Sequence, residues 1–193
     1  MKLILSSCDF GNPRSAQFIR DNLCRPLDAC RVLFFPNEKA TPEKIKSGKY
    51  QTRLCAFGFE RRNIWVVDTT RPASVACPDV DVIYVSGGNT FGTLKRIREA
   101  GYDKWIADAV HSGIPYIGGS AGAHIACADV SHVLRYDHDT FGLTDFSGLG
   151  LYRGRLICHY TDARCADYEA LCRDGGYPVL ALRDEDSILV REE

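Results

Sequence analysis

Apolar side chains gather in short unbroken runs: LILSS at 3–7, RVLFFP at 31–36, IWVVD at 64–68, VIYVS at 82–86 and IPYIG at 114–118. A strand with one wet face would alternate apolar and polar residues. An unbroken run suits a strand covered on both faces, as in a parallel sheet. RLICHY at 155–160, PVLAL at 178–182 and SILVRE at 187–192 read as further strands. Helical signals lie between the runs. The stretch 41–59 opens with Thr41 as N-cap, Pro42 in the first turn and Glu43 beside it. In 89–101, Phe91, Leu94 and Ile97 share one stripe and Gly101 stops the helix, and 103–113 runs from Asp103 to Gly113 in the same way. Strand alternating with helix predicts an α/β fold: a doubly wound, mostly parallel sheet with helices on both faces. The segment 131–150 has no clear period and reads as a hairpin plus loop.

Composition narrows the class. A chain of 193 residues suits a single domain, here 1–193. Lys+Arg 24 against Asp+Glu 25 leaves a formal charge of −1, with no basic excess to hold nucleic acid. No apolar stretch approaches the ~18 residues of a membrane span, and the N-terminus reads as a first strand rather than a signal peptide. The nine cysteines show no C-x-x-C pair and no zinc spacing. Free thiols in a reducing cytoplasm are the expectation, with no metal and no cofactor.

Chemistry enters at two glycine corners. Gly118-Gly119-Ser120-Ala121-Gly122 fits G-x-S-x-G, between a strand and a helix as that pattern requires. Small neighbours let a sharp turn lift the serine hydroxyl above the carboxyl ends of the strands. The plainer reading is a tight turn with Ser120 as N-cap. Ser86-Gly87-Gly88-Asn89 repeats the strand–glycine–helix logic, so the N–H groups of Gly88 and Ala121 are candidate oxyanion donors. The spacing matches neither a Walker loop nor a dinucleotide fingerprint. Serine needs a base. His111 ends a helix, His124 is a helical neighbour of Ser120, and His132 and His138 fall in the aperiodic segment. His159 ends a strand at the serine's edge and is the candidate. Asp184, Glu185 and Asp186 offer an acid to orient it. The order serine, histidine, acid differs from that of α/β-hydrolases and points to another architecture.

VSGGNTFGTLK with YIGGSAGAHIAC, then CHYTDA and LRDEDSILV, resembles peptidase E, the aspartyl dipeptidases of the S51 serine peptidases. The resemblance runs in order through most of the chain and is most marked from 80 to 130. It implies a class I glutamine amidotransferase-like (flavodoxin-like) fold and a metal-free dipeptidase acting on short peptides, those with N-terminal aspartate above all. Carried over residue by residue, it implies Ser120 as nucleophile, His159 as base and Asp184 as acid, with Glu185 next in line. The sequence departs from the family at Ser86, where the family has glycine, and at Cys158, where it has proline. The chain also ends earlier than the resemblance leads one to expect. An anionic substrate side chain would need a cation, and the sequence does not choose among Arg135, Arg153, Arg155 and Arg164. A homodimer is compatible with the sequence. The alternatives are a thiol-dependent hydrolase on the same fold, using Cys158, and a binding protein that has lost catalysis.

Overall fold

The computed structural model describes residues 1–73 and 78–191. Its strands are β1 (Lys2–Ser6), β2 (Val32–Phe35), β3 (Ile64–Val66), β4 (Val82–Val85), β5 (Tyr116–Gly119), β6 (Arg155–Ile157), β7 (Val179–Ala181) and β8 (Ser187–Arg191). Its helices are α1 (Pro13–Asn22), α2 (Pro42–Lys46), α3 (Lys49–Phe57), α4 (Thr90–Glu99), α5 (Asp103–His111), α6 (Ala121–Ala126) and α7 (Cys165–Asp174). Six strands form one sheet in the order β3-β2-β4-β5-β1-β8. The five unbroken apolar runs are its parallel members, and β8 closes the edge antiparallel to β1.

The unbroken runs of β1, β2, β4 and β5 exist because each of these strands feeds two cores, whereas the edge strand β3 leaves Trp65 exposed. Leu3, Leu5, Ile83, Val85 and Tyr116 face α4 and α5, meeting Phe91, Leu94, Ile97, Ile106 and Val110. Their sequence neighbours Ile4, Val82, Tyr84 and Ile117 face the other way, onto Ala16 and Ile19 of α1 and Tyr50 and Leu54 of α3. Side chains alternate between faces with a period of two residues, so two covered faces demand an apolar residue at every position. The sheet is doubly wound, and its carboxyl ends bring the serine and glycine corners side by side.

Four expectations need correction. The helix foreseen over 41–59 is two helices, α2 and α3, divided where Gly48 takes φ +73. Helices α1 and α7 were not expected from the sequence, although Asn12 and Pro13 supply a cap and a first-turn proline at the start of α1. Strands β6 and β7 stand apart as a two-stranded parallel ribbon instead of joining the main sheet. No hairpin forms in 131–150: a short 3-10 helix, Ser131–Arg135, leads into loop, tied down by isolated bridges such as Asp129 to Ser147. The reason is local. The carboxylates of Asp129, Asp139 and Asp145 accept backbone N–H groups from Ser131, from Phe141 and Leu143, and from Ser147. Those N–H groups are thereby lost to any ladder.

The described cysteines are free thiols, with Cys30, Cys127 and Cys158 buried; Cys77 and residue 192 of the last predicted strand lie outside the described residues. Among the described residues no helix is long and apolar enough to cross a membrane.

Candidate active site

The small residues around Ser120 are there because backbones meet. A Cβ on Gly122 would collide with the Val85 carbonyl oxygen at the end of β4, and one on Gly118 would lie 2.7 Å from the Gly122 carbonyl oxygen. Strand β5 and helix α6 therefore close on each other with no room for side chains. Ser120 sits at the joint with φ 49 and ψ −107. It is held there by its N–H, which donates to the Ser6 carbonyl at 2.9 Å, and by its own carbonyl, which accepts from Ala123 and His124.

The turn aims the hydroxyl at His159. Ser120 Oγ lies 2.9 Å from His159 Nε2, and His159 Nδ1 lies 2.6 Å from Asp184 Oδ1. Backbone conformation positions the ring: His159 has φ 54, and its N–H donates to Ser7 Oγ at 2.7 Å. Ser15 Oγ of α1 holds the Asp184 carbonyl at 3.1 Å. Asp9, with φ 42, is the third non-glycine residue in left-handed conformation among the described residues, and all three lie at this one edge. Such conformations cost about 1–3 kcal/mol each and persist where the surroundings enforce them. The acids of the late turn have separate fates. Asp184 reaches His159, whereas Asp186 closes the turn by accepting from the Arg183 N–H at 2.8 Å. The imidazole and the Asp184 carboxylate are 44% and 56% exposed. Water screens a pair in that setting, so the carboxylate's contribution is orientation more than charge.

The second corner stands against the first. Gly87 packs on Ser120, where an added Cβ would lie 3.2 Å from the serine Cβ. Gly88 is in the cleft with Ser120 and is pressed on its other side by Asn37 and Glu38, each within 2.5 Å of where a Cβ would be. Ala121, as first residue of α6, has an N–H with no intrahelical partner. Ser86, the departure from glycine, is buried and turns its hydroxyl to the Gly87 carbonyl at 3.3 Å.

A cleft of about 210 Å³ opens here, lined by Gly88, Ser120, His159, Thr90, His124, Tyr136, Asp137, Cys158 and Arg164. Asn89 caps α4 by accepting from Gly92 at 2.9 Å, and its amide donates to Asp137 Oδ1 and the His138 carbonyl. The Gly-Gly-Asn-Thr motif thus anchors the aperiodic loop to the sheet edge. His124 does not reach the serine hydroxyl. Its Nε2 accepts from the Cys158 N–H at 3.4 Å, which leaves Nδ1 to donate to Thr90 Oγ at 3.2 Å. Complete burial pushes His124 well below the usual histidine range, so it stays neutral. The Cys158 thiol is also buried, and desolvation drives it far above the ordinary range, which rules it out as a ready nucleophile.

Of the arginines left open by the sequence, Arg164 is the one that lines the cleft. Its guanidinium lies over the Tyr136 ring at 4.7 Å and donates to the Cys158 carbonyl at 2.7 Å. Arg135 pairs with Asp174, Arg155 lies over the Tyr177 ring, and Arg153 faces solvent. The sequence reading missed Ser7, Ser15 and Asp137. A polar Ser-Ser pair ending the apolar run of β1 was the available hint.

The model of peptidase family S51 matches residues 3–193. An uncharacterized peptidase of Listeria innocua is 32% identical over 123 residues, covering 58% of this chain and 56% of the relative. Peptidase E of Citrobacter koseri is 39% identical over 102 residues, covering 50% of this chain and 44% of the relative. The matched stretch thus spans about half the length of these curated relatives. A crystal structure from Listeria monocytogenes EGD-e, provisionally named a peptidase E protein, superposes with a TM-score of 0.70 at 22% identity, covering 100% of this chain and 98% of the other. At that identity the likeness concerns the fold.

Proposed function

The chain belongs to peptidase family S51, and from that premise we propose that it is a serine dipeptidase preferring an acidic residue at the substrate N-terminus. The observation that carries this reading is the hydrogen-bonded chain from Ser120 through His159 to Asp184 at a strained elbow. Ser120 Oγ attacks the scissile carbonyl carbon while His159 Nε2 takes its proton, and Asp184 fixes the tautomer through Nδ1. The N–H groups of Gly88 and Ala121 receive the developing oxyanion. His159 then protonates the leaving amine, and water, deprotonated by the same imidazole, releases the acyl group.

Two features support the substrate class. The cleft, at about 210 Å³, is below the ~300–1,000 Å³ usual for drug-sized ligands, which favours one or two residues over a long peptide. Arg164 offers its guanidinium to an anionic side chain in the same cleft. The test is a mixed dipeptide library incubated with the protein and read by mass spectrometry. Dipeptides beginning with Asp should be consumed first. Arg164→Ala should raise KM for them by about 10–100-fold, the loss of one charged hydrogen-bonding partner, while hardly altering hydrolysis of an Ala-initiated peptide. Equal losses on both substrates would remove Arg164 from the specificity site.

A further inference from the structure

Cys8 stands just past the end of β1, beside the serine elbow, and has no part in the reaction proposed above. Its sulfur, a ring nitrogen of His159 and a carboxylate oxygen of Asp184 all lie within 4.8 Å of one another. These are three kinds of metal ligand, gathered by the fold from distant positions that no sequence spacing announces. Zinc takes thiolate, imidazole and carboxylate together at about 2.0–2.3 Å, which sets ligand atoms roughly 3.3–3.8 Å apart on a tetrahedron. His159 Nδ1 and Asp184 Oδ1, now 2.6 Å apart, would have to open slightly and Cys8 to draw in. Their exposure, 44% and 56%, leaves both side chains room to do so. The local field also suits a cation. The carboxylates of Asp184 and Asp9 lie close enough to Cys8 to act on it electrostatically, and they attract positive charge.

We propose that Cys8, His159 and Asp184 form an inhibitory site for a thiophilic divalent cation, zinc foremost, with solvent completing the shell. The inhibition rests on the reading of His159 as base. An ion on Nδ1 uses the lone pair of that nitrogen, so the single ring proton moves through solvent to Nε2. The Cys8 thiol gives its proton to solvent, and one proton is released for each ion bound. Nε2–H then faces Ser120 Oγ as a donor and cannot accept its proton. Activity stops while the ion is bound and returns on chelation.

The test uses reduced, metal-free wild type with Cys8→Ser and Cys8→Ala, each compared with its own zinc-free rate on a cleaved dipeptide. Wild type should be inhibited by Zn²⁺ and recover with EDTA, and both variants should need at least about tenfold more zinc, having lost one of three ligands. Co²⁺ should give wild type a thiolate-to-metal charge-transfer band that both variants lack. Equal zinc sensitivity, or the same band in all three proteins, would overturn the site. A Cys8-dependent band in a protein that cleaves no dipeptide would leave the metal site standing and remove the peptidase reading instead.

Discussion

At Gly122 one missing methyl group decides whether the elbow forms. The Val85 carbonyl occupies the place a Cβ would take, and carbonyl backbone cannot swing aside as a flexible side chain can. Gly122→Ala should therefore cost about 1–3 kcal/mol through overpacking, or roughly 2–4 °C in Tm per kcal/mol for a domain of this size. It should also lower kcat by tilting Ser120 away from His159. Thermal melts and steady-state kinetics check both; an unchanged Tm would mean that strand and helix are not as tightly closed as described. Asp184→Asn leaves the shape but offers an amide to Nδ1, favouring the wrong tautomer. A loss of about 10⁴-fold is the precedent for a buried triad acid. Because Asp184 is half-exposed, water can substitute in part, and a smaller loss of about 10²–10³-fold in kcat is expected.

Among elements, the helix starts explain why the glycine corners come as motifs. Asn89 caps α4 and also holds the loop at Asp137 and His138. Asn89→Ala removes a cap worth about 1 kcal/mol and releases the wall of the cleft. A lower Tm together with a raised KM is expected; a lower Tm with unchanged KM would show that the loop holds its place without Asn89. The legible elements were those whose apolar pattern is strongest: the strand runs of the parallel sheet, the buried stripes of α4 and α5, and α6 beside its glycine corner. The division at Gly48 was visible as a glycine, and the five-residue step from Ile45 to Tyr50 already departs from the three- and four-residue helical spacing, but it takes the φ of +73 to show a break. The 131–150 loop was misread because its order comes from aspartates binding nearby N–H groups, which leaves no period to see. Ser120 and His159 could be found from strand ends. Ser7, Ser15 and Arg164 join them only through contacts across the fold, and the choice of Asp184 over Asp186 depends on how one turn closes.

At the scale of the whole molecule, pH acts through buried imidazoles. Burial lowers both His124 and His132, which share an edge-to-face contact at 5.9 Å. Unfolded histidine binds a proton near pH 6.5, so below that the unfolded chain binds more protons than the folded one. Stability is fully present above about pH 6.5 and falls as the pH drops through and below it. Asp9, raised by burial beneath the elbow, acts in the opposite sense, but only lower, in the carboxylate range. Tm should therefore decline between about pH 7 and pH 5, and His124→Gln should flatten that decline. A wild-type Tm that is level over this range would contradict neutral burial of the pair.

The central claim is that Ser120, activated by His159, forms the bond to the substrate. Its most direct measure is kcat/KM on an Asp-initiated dipeptide for wild type, Ser120→Ala, His159→Ala and the double variant, with folding checked by circular dichroism. Groups that act as one unit lose activity together. Each single variant should fall by about 10³-fold or more, and the double variant should fall little further. Hydrolysis by Ser120→Ala within about tenfold of wild type would place the chemistry elsewhere in the molecule.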